Sequence, residues 1–457
     1  MSTRTPLGLA IATVTAVSLT GGLLTLSVST ASAAGPAKYA DDFNGDGFRD
    51  FAAAGLGGDL TVTYGTATGV RATSTTFTQS SAGIPGAAGT AGGYGDAFGE
   101  DIATADLNRD GYADLAVADF TEKVSGKVSS GAVTILWGRK TGLTGTDATR
   151  LKVTAREDQG FGKAIETGDF NGDGKADLAV ADAFKSVYLY RGGFTKSGTT
   201  GKVTKHTYGD TFETTGLVAG KVTKDRATDL YLLGQGYHND KMTQDAWFLR
   251  GGSTIKPGKA TVIDGSAPDY GPAGVVADFD KDGYGDLAVS DTRYRNNAGS
   301  VVVWRGGGTG PTTKYRLTQS TSGVATAAAA HECFGSALSA GDTNGDGYPD
   351  LAVGVPYEKV GTAKDAGGVH VLRGGRSGLT GKNSQWFTRA SAGVPGNPTA
   401  YENFGFLVRL RDIDRDGDQD LLLSRNYYGP SALLPGTGSG ITATGYKDVD
   451  LVAAFPQ

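Results

Sequence analysis

The chain has 457 residues, 39% of them hydrophobic and 20% charged, with 73 glycines and a net charge of −5. A mildly acidic balance with no basic cluster among aromatics excludes nucleic acid as the expected partner, and the lone cysteine, Cys333, excludes an internal disulfide. A chain this long needs either several domains or one architecture that repeats.

Arg4 is followed by an uncharged stretch from Thr5 to Ala34, and Ala31-Ser32-Ala33 has the small-x-small form of a processing site. Residues 1–33 read as a secretory signal peptide cleaved after Ala33. Gly21, Gly22 and many Ser/Thr residues dilute the run too much for a lasting anchor, and no later segment is apolar enough to span a bilayer. Residues 34–457 are therefore expected to be secreted, extracellular, free of a membrane anchor and monomeric.

Next come six acidic loops of the form D-x-[DN]-x-D-G-x-x-D. Side chains at positions one, three, five and nine, with the backbone carbonyl at position seven, give one candidate ligand set per loop. In chain order these are Asp42, Asn44, Asp46, Asp50 and Phe48, then Asp106, Asn108, Asp110, Asp114 and Tyr112. The next two sets are Asp169, Asn171, Asp173, Asp177 and Lys175, then Asp278, Asp280, Asp282, Asp286 and Tyr284. The last two are Asp342, Asn344, Asp346, Asp350 and Tyr348, then Asp412, Asp414, Asp416, Asp420 and Asp418. Carboxylates at alternate positions of a tight turn converge on one point, and glycine at position six permits the reversal. Such a point suits a hard cation, and a flexible set of five or more oxygens favours Ca2+ over the strict octahedron of Mg2+.

An EF-hand would place a Glu at position twelve, where Val117 and Val180 stand here, and would continue as a helix. These loops run instead into Leu-Ala-Val-Ala or similar, too short for a helix, so each closes a β-hairpin. They hold 21 of the 48 acidic residues, a concentration that repels itself without cations. The expected role of about six Ca2+ ions is structural.

The loops start 64, 63, 109, 64 and 70 residues apart. The long gap hides a degenerate copy, Lys221 to Asp229, which keeps Asp225 and Asp229 at positions five and nine but has Lys221 and Thr223 at one and three. Either Lys221 or Lys224 is a candidate to place its ammonium near the vacated cation position. Each full unit carries Phe-Gly or Tyr-Gly eight residues ahead of its loop, at Phe98, Phe161, Tyr270, Phe334 and Phe404. A short apolar strand, the loop, an Asp-Leu-Ala-Val strand, a third strand ending in Gly and a polar fourth strand such as Arg150–Thr154 complete it. Four short strands repeated seven times predict an all-β fold, a seven-bladed β-propeller.

These motifs resemble the FG-GAP (VCBS-type) repeat family, the blade of the integrin α-subunit head and of many bacterial exported proteins. The resemblance covers nearly the whole segment after residue 33. It implies calcium-binding hairpin loops and partner binding on the face away from them. Blade one begins almost at its acidic loop, so the ring is expected to close by Tyr446–Phe455 pairing beside it.

In an up-and-down blade the loops between strands two and three, and between blades, lie opposite the acidic loops. They include Phe120–Gly131, Gly234–Asp245, Thr292–Gly299, Pro356–Gly367 and Tyr427–Pro430. Variable loops on a rigid scaffold are where binding usually sits. Glu122, Lys123, Tyr237, His238, Arg293, Tyr294, Arg295, Tyr357, Glu358, Lys359, Tyr401, Tyr427 and Tyr428 are the candidate contacts there. The expected function is extracellular binding or adhesion, with a protein or glycan partner. The alternative is a hydrolase or lyase acting on polysaccharide or phospholipid at that face. No G-x-S-x-G or H-E-x-x-H is present, and His206, His238, His331 and His370 fall in separate units. His331 and Cys333 are read as strand residues, with Cys333 as a small core side chain.

Overall fold

Each acidic loop passes into a run such as Asp114–Asp119, in which all six residues are buried. A strand covered on both faces reads as an unbroken apolar run rather than an alternation, and here the covers are the neighbouring blades. The computed structural model describes residues 35–54, 58–67, 69–91, 94–95, 97–209, 211–264, 273–426 and 430–450. The expected signal peptide, Tyr270-Gly271 and Tyr427-Tyr428 lie outside the described residues.

The fold is a seven-bladed β-propeller, all its blades antiparallel. Blade one has three strands, Phe51–Ala54, Asp59–Thr66 and Gly69–Thr78, and among the described residues no inner strand precedes its loop. The other six blades are four-stranded. Their inner strands are Ile102–Ala105, Ala164–Gly168, Phe212–Gly220, Gly274–Ala277, Leu338–Gly341 and Val408–Arg411. In the six four-stranded blades the register places position nine of the loop opposite the last inner-strand residue, as in Ala105↔Asp114 and Gly220↔Asp229.

Seven apolar clusters fill the seven gaps between blades. The gap between blades two and three holds Val133, Ile135, Trp137, Phe161, Leu178 and Val180 among others. The Phe of each described Phe-Gly is buried in such a gap (Phe98, Phe161, Phe334 and Phe404, at most 2% exposed), which is why that position is aromatic. The gap between blades seven and one is thinner, with Phe51, Ile413, Leu422 and Leu433, and beside it lies a cavity of about 450 Å³.

Several expectations change here. Lys447–Val449 pairs with Ser431–Leu434 as the outer strand of blade seven, not beside blade one. Residues 451–455 of the expected closing segment are outside the described residues. Blades seven and one meet instead through that apolar cluster and an ion pair between Arg411 and Asp41. The fourth strand of blade two is only Thr149–Arg150. Gly234–Asp245 is no loop: strands Asp229–His238 and Lys241–Arg250 meet at Asn239-Asp240, both at positive φ (50° and 59°), a type I′ pattern that suits hairpins. His331 and Cys333 are loop residues at positive φ (71° and 57°), and Cys333 is only half-buried.

Candidate metal centres and the opposite face

The six acidic loops share one conformation, set by their own side chains. The carboxylate at position one accepts the N–H groups of positions five and six, as Asp106 does from Asp110 (3.1 Å) and Gly111 (3.1 Å). The side chain at three accepts from five, and five from seven, as in Asn108 to Asp110 N (2.9 Å) and Asp110 to Tyr112 N (3.2 Å). The same nest recurs around Asp42, Asp169 and Asp278. Position six is Gly at φ 79–102° in all six loops. Position four is also left-handed in all six, at Gly45, Arg109, Gly172, Lys281, Gly345 and Arg415. Non-glycine residues at three of these accept a strain of order 1 kcal/mol each, which the nest must hold. In the two loops with Asp at position three, one oxygen each of Asp278, Asp280 and Asp282, and of Asp412, Asp414 and Asp420, lie within 4.8 Å of one another.

Position nine has a second partner that the sequence reading missed. In every blade its Oδ1 accepts the N–H of a glycine, just past strand three in the four-stranded blades and within Asp59–Thr66 in blade one. The pairs are Gly65–Asp50 (2.9 Å), Gly138–Asp114 (2.9 Å), Gly192–Asp177 (2.7 Å), Gly251–Asp229 (2.8 Å), Gly306–Asp286 (2.9 Å), Gly374–Asp350 (3.0 Å) and Gly436–Asp420 (2.9 Å). A Cβ on any of these glycines would lie 2.1–3.0 Å from the carbonyl oxygen of position eight, so the residue must be Gly. This clasp explains why strand three ends in glycine.

The other oxygen of position nine faces the loop. It accepts from position two in blades one, two and seven (Phe43 N 2.8 Å, Leu107 N 3.0 Å, Ile413 N 2.9 Å). In blades three and five, Asp177 Oδ2 and Asp286 Oδ2 are buried with no hydrogen-bond partner. A buried carboxylate oxygen without a donor is costly, and a cation in the loop would supply what it lacks. The residues present therefore fit a calcium ion. Burial raises Asp50 and Asp114 to about 8, Asp286 to about 7 and Asp177 and Asp420 to about 6, with the neighbouring loop carboxylates adding to the rise. Two arginines were also not foreseen: Arg305 pairs with Asp280, and Arg373 reaches Asp350 at 2.7 Å. The signal was an Arg directly before the clasp glycine, repeated at Arg191, Arg250, Arg305 and Arg373.

The loops also form a belt. The N–H of position eight donates to the position-one carbonyl of the preceding blade, at Ala113→Asp42 (2.9 Å), Thr228→Asp169 (2.7 Å), Gly285→Lys221 (2.7 Å) and Gln419→Asp342 (3.1 Å). Position seven, chosen from sequence for its carbonyl, uses its side chain to reach that preceding loop. Tyr284 lies under Lys224 (4.1 Å), Tyr348 under Lys281 (4.7 Å) and Phe48 under Arg415 (4.7 Å), a position-four cation in each case. The last pair crosses from blade seven to blade one, so the belt is continuous there.

The opposite face is preset in another way. At three junctions the segment entering a blade zips onto the loop between strands two and three of the blade before it. Asp158, Gly160 and Phe161 donate to Val128, Ser129 and Ser130; Tyr401, Asn403 and Phe404 donate to Lys364, Asp365 and Ala366. His331, Cys333 and Phe334 do the same to Asn296, Asn297 and Ala298. Of the expected contacts, Tyr401 (65% exposed) and Tyr237 (49%) stand out from the face, and Phe184 (54%) and Met242 (46%) join them unforeseen. Glu122 and Glu358 do not: both are buried, bonded to Arg150 (2.7 Å) and Gln319 (2.6 Å) as braces between segments. Tyr294 lies under Arg316 (4.2 Å) and His238 is held by Asp245 (2.6 Å).

The FG-GAP repeat model matches residues 98–136, 270–304 and 334–372, and an FG-GAP-like repeat model matches 169–232. The chain carries FG-GAP repeats. It is 33% identical over 178 residues to phosphatidylinositol-glycan-specific phospholipase D of Rattus norvegicus, covering 37% of this chain and 20% of that one. It is 40% identical over 106 residues to integrin alpha-6 of Gallus gallus, covering 22% of this chain and 10% of that one. The matched stretches thus span a fifth or less of the length of these relatives. Among solved structures, a lectin of Aleuria aurantia aligns with 78% of this FG-GAP chain and 96% of its own, at 12% identity and a TM-score of 0.35. Rhamnogalacturonan lyase YesW aligns at 14% identity and a TM-score of 0.35, covering 88% and 81%. Likenesses this remote do not bear on what the FG-GAP ring binds.

Proposed function

We propose that this FG-GAP propeller is an extracellular binding or adhesion module, held together by about six calcium ions and presenting the loops opposite them to a protein or glycan. The observation that carries the reading is the zippered face. Three of its loops are fixed by backbone bonds from the next blade, so ordering them costs little when a partner binds. Exposed Tyr401, Tyr237 and Phe184 give it aromatic contact groups of the kind favoured at hot spots.

The calcium ions act on the scaffold, not on the partner. Extracellular calcium modules have dissociation constants of about 10⁻⁴–10⁻³ M. At about millimolar calcium a site at the tight end adds about 1.4 kcal/mol by linkage, and six add about 8 kcal/mol. That is comparable with the whole stability of an ordinary domain. The leader sequence supports export, where calcium at such levels is available.

The test is a glycan and protein array probed with the purified chain, with and without chelator. Binding without turnover, lost on chelation, is the expected result. Turnover of a polysaccharide or phospholipid would replace this reading with the hydrolase or lyase one.

A further inference from the structure

The degenerate loop of blade four is not simply a broken calcium site. Its Lys221 stands at position one, where the other loops place an aspartate, and its ammonium donates to the carbonyl oxygen of Arg226 across the same turn. Lys224 does not share this task, because it lies over the Tyr284 ring of blade five. Asp225 keeps the bond from the position-seven N–H (Ala227, 3.1 Å) and gives its other oxygen to Arg250 (3.0 Å). Asp229 keeps its clasp to Gly251, and its second oxygen is fully used by Thr223 N (2.7 Å) and Thr223 Oγ1 (2.9 Å). The bare oxygens seen on Asp177 and Asp286 have no counterpart here. Neither Lys224 nor Arg226, at positions four and six, is left-handed, unlike every corresponding residue of the six acidic loops.

We infer that Lys221 is a built-in substitute for the cation: its ammonium bridges the blade-four loop permanently, so this one loop is closed whatever the calcium level. The substitution balances chemically. A divalent ion and the aspartate at position one give way together to a single ammonium on one carbonyl oxygen, and Thr223 takes the place of the Asn or Asp at position three. The belt is unbroken, since Thr228 N still reaches Asp169 O and Gly285 N still reaches Lys221 O. Blade four also has the longest ladder of the ring, with two strands of ten residues. It is therefore the calcium-independent anchor to which the metal-dependent loops on either side are tied.

This inference rests on the calcium reading of the other loops, and native mass spectrometry of the full chain in calcium separates the two. Six ions on the wild type and seven on a Lys221→Asp, Thr223→Asn, Arg226→Gly variant are expected. Seven ions on the wild type, or six on the folded variant, overturn the inference; none on either protein overturns the calcium reading beneath it. Amide exchange of the wild type gives a second measure that needs no variant. On chelation the amides of Gly47, Gly111, Gly174 and Gly347 should lose protection, while those of Thr223, Ala227 and Gly251 keep theirs. Equal loss in blade four would overturn the inference. Lys221→Met should then expose the Ala227 amide with calcium present.

Discussion

Two adjacent glycines in blade six make opposite predictions. Gly374 is the clasp residue: its N–H donates to Asp350 Oδ1 at 3.0 Å, and a Cβ on it would lie 2.1 Å from Pro349 O. Gly375 donates to Phe279 O of blade five at 3.0 Å, but a Cβ there meets nothing within 4 Å. Neither is in the left-handed region, so backbone strain does not separate them. Gly374→Ala must push strand three away from the loop, weakening a bond to a carboxylate worth about 1.5–3 kcal/mol and adding about 1–3 kcal/mol of overpacking. The expected loss is about 3–5 kcal/mol. Gly375→Ala should lie within about 1 kcal/mol of wild type, on the stable side if the unfolded-chain term dominates. Urea unfolding in excess calcium, followed by tryptophan fluorescence, reads both. Similar midpoints for the two variants would refute the clasp.

Other outcomes follow from the same contacts. Phe161→Ala, which empties a fully buried site between blades two and three, should cost about 3–5 kcal/mol by denaturant midpoint. Arg415→Ala removes the cation over Phe48 where the ring closes and should cost about 0.5–1 kcal/mol, with Arg415→Lys retaining most of it. Burial, and then the charge of Glu332, raises Glu358 to about 7. A carboxyl raised in the folded state contributes stability fully present below its unfolded pKa and lost as pH rises through the folded one. Between about pH 4.5 and 7 the wild type should lose on the order of 1–3 kcal/mol that Glu358→Gln retains, measured by urea midpoints across that range.

The acidic loops made most of the fold legible, because their spacing is a property of the chain itself. Even the missing copy could be found, since Asp225 and Asp229 kept the frame. What stayed hidden depends on pairing between distant residues. The clasp joins Asp114 to Gly138 only once strands two and three are in register, and position nine then has a reason to persist in blade four, where positions one and three are gone. The contact of Arg415 with Phe48 exists only in a closed ring. The blade-four hairpin was obscured because Asn239 and Asp240 look like loop residues, yet their tolerance of positive φ is what a two-residue hairpin turn needs. Glu122 and Glu358 looked like contact groups because charge in a loop suggests exposure, whereas the zippered segments bury them.

The most direct test of the account is the melting temperature of the full chain in millimolar calcium and again in excess chelator. The proposed calcium reading of the acidic loops predicts a large fall on chelation, reversed when calcium is restored and not by the same concentration of magnesium. An unchanged melting temperature would contradict it.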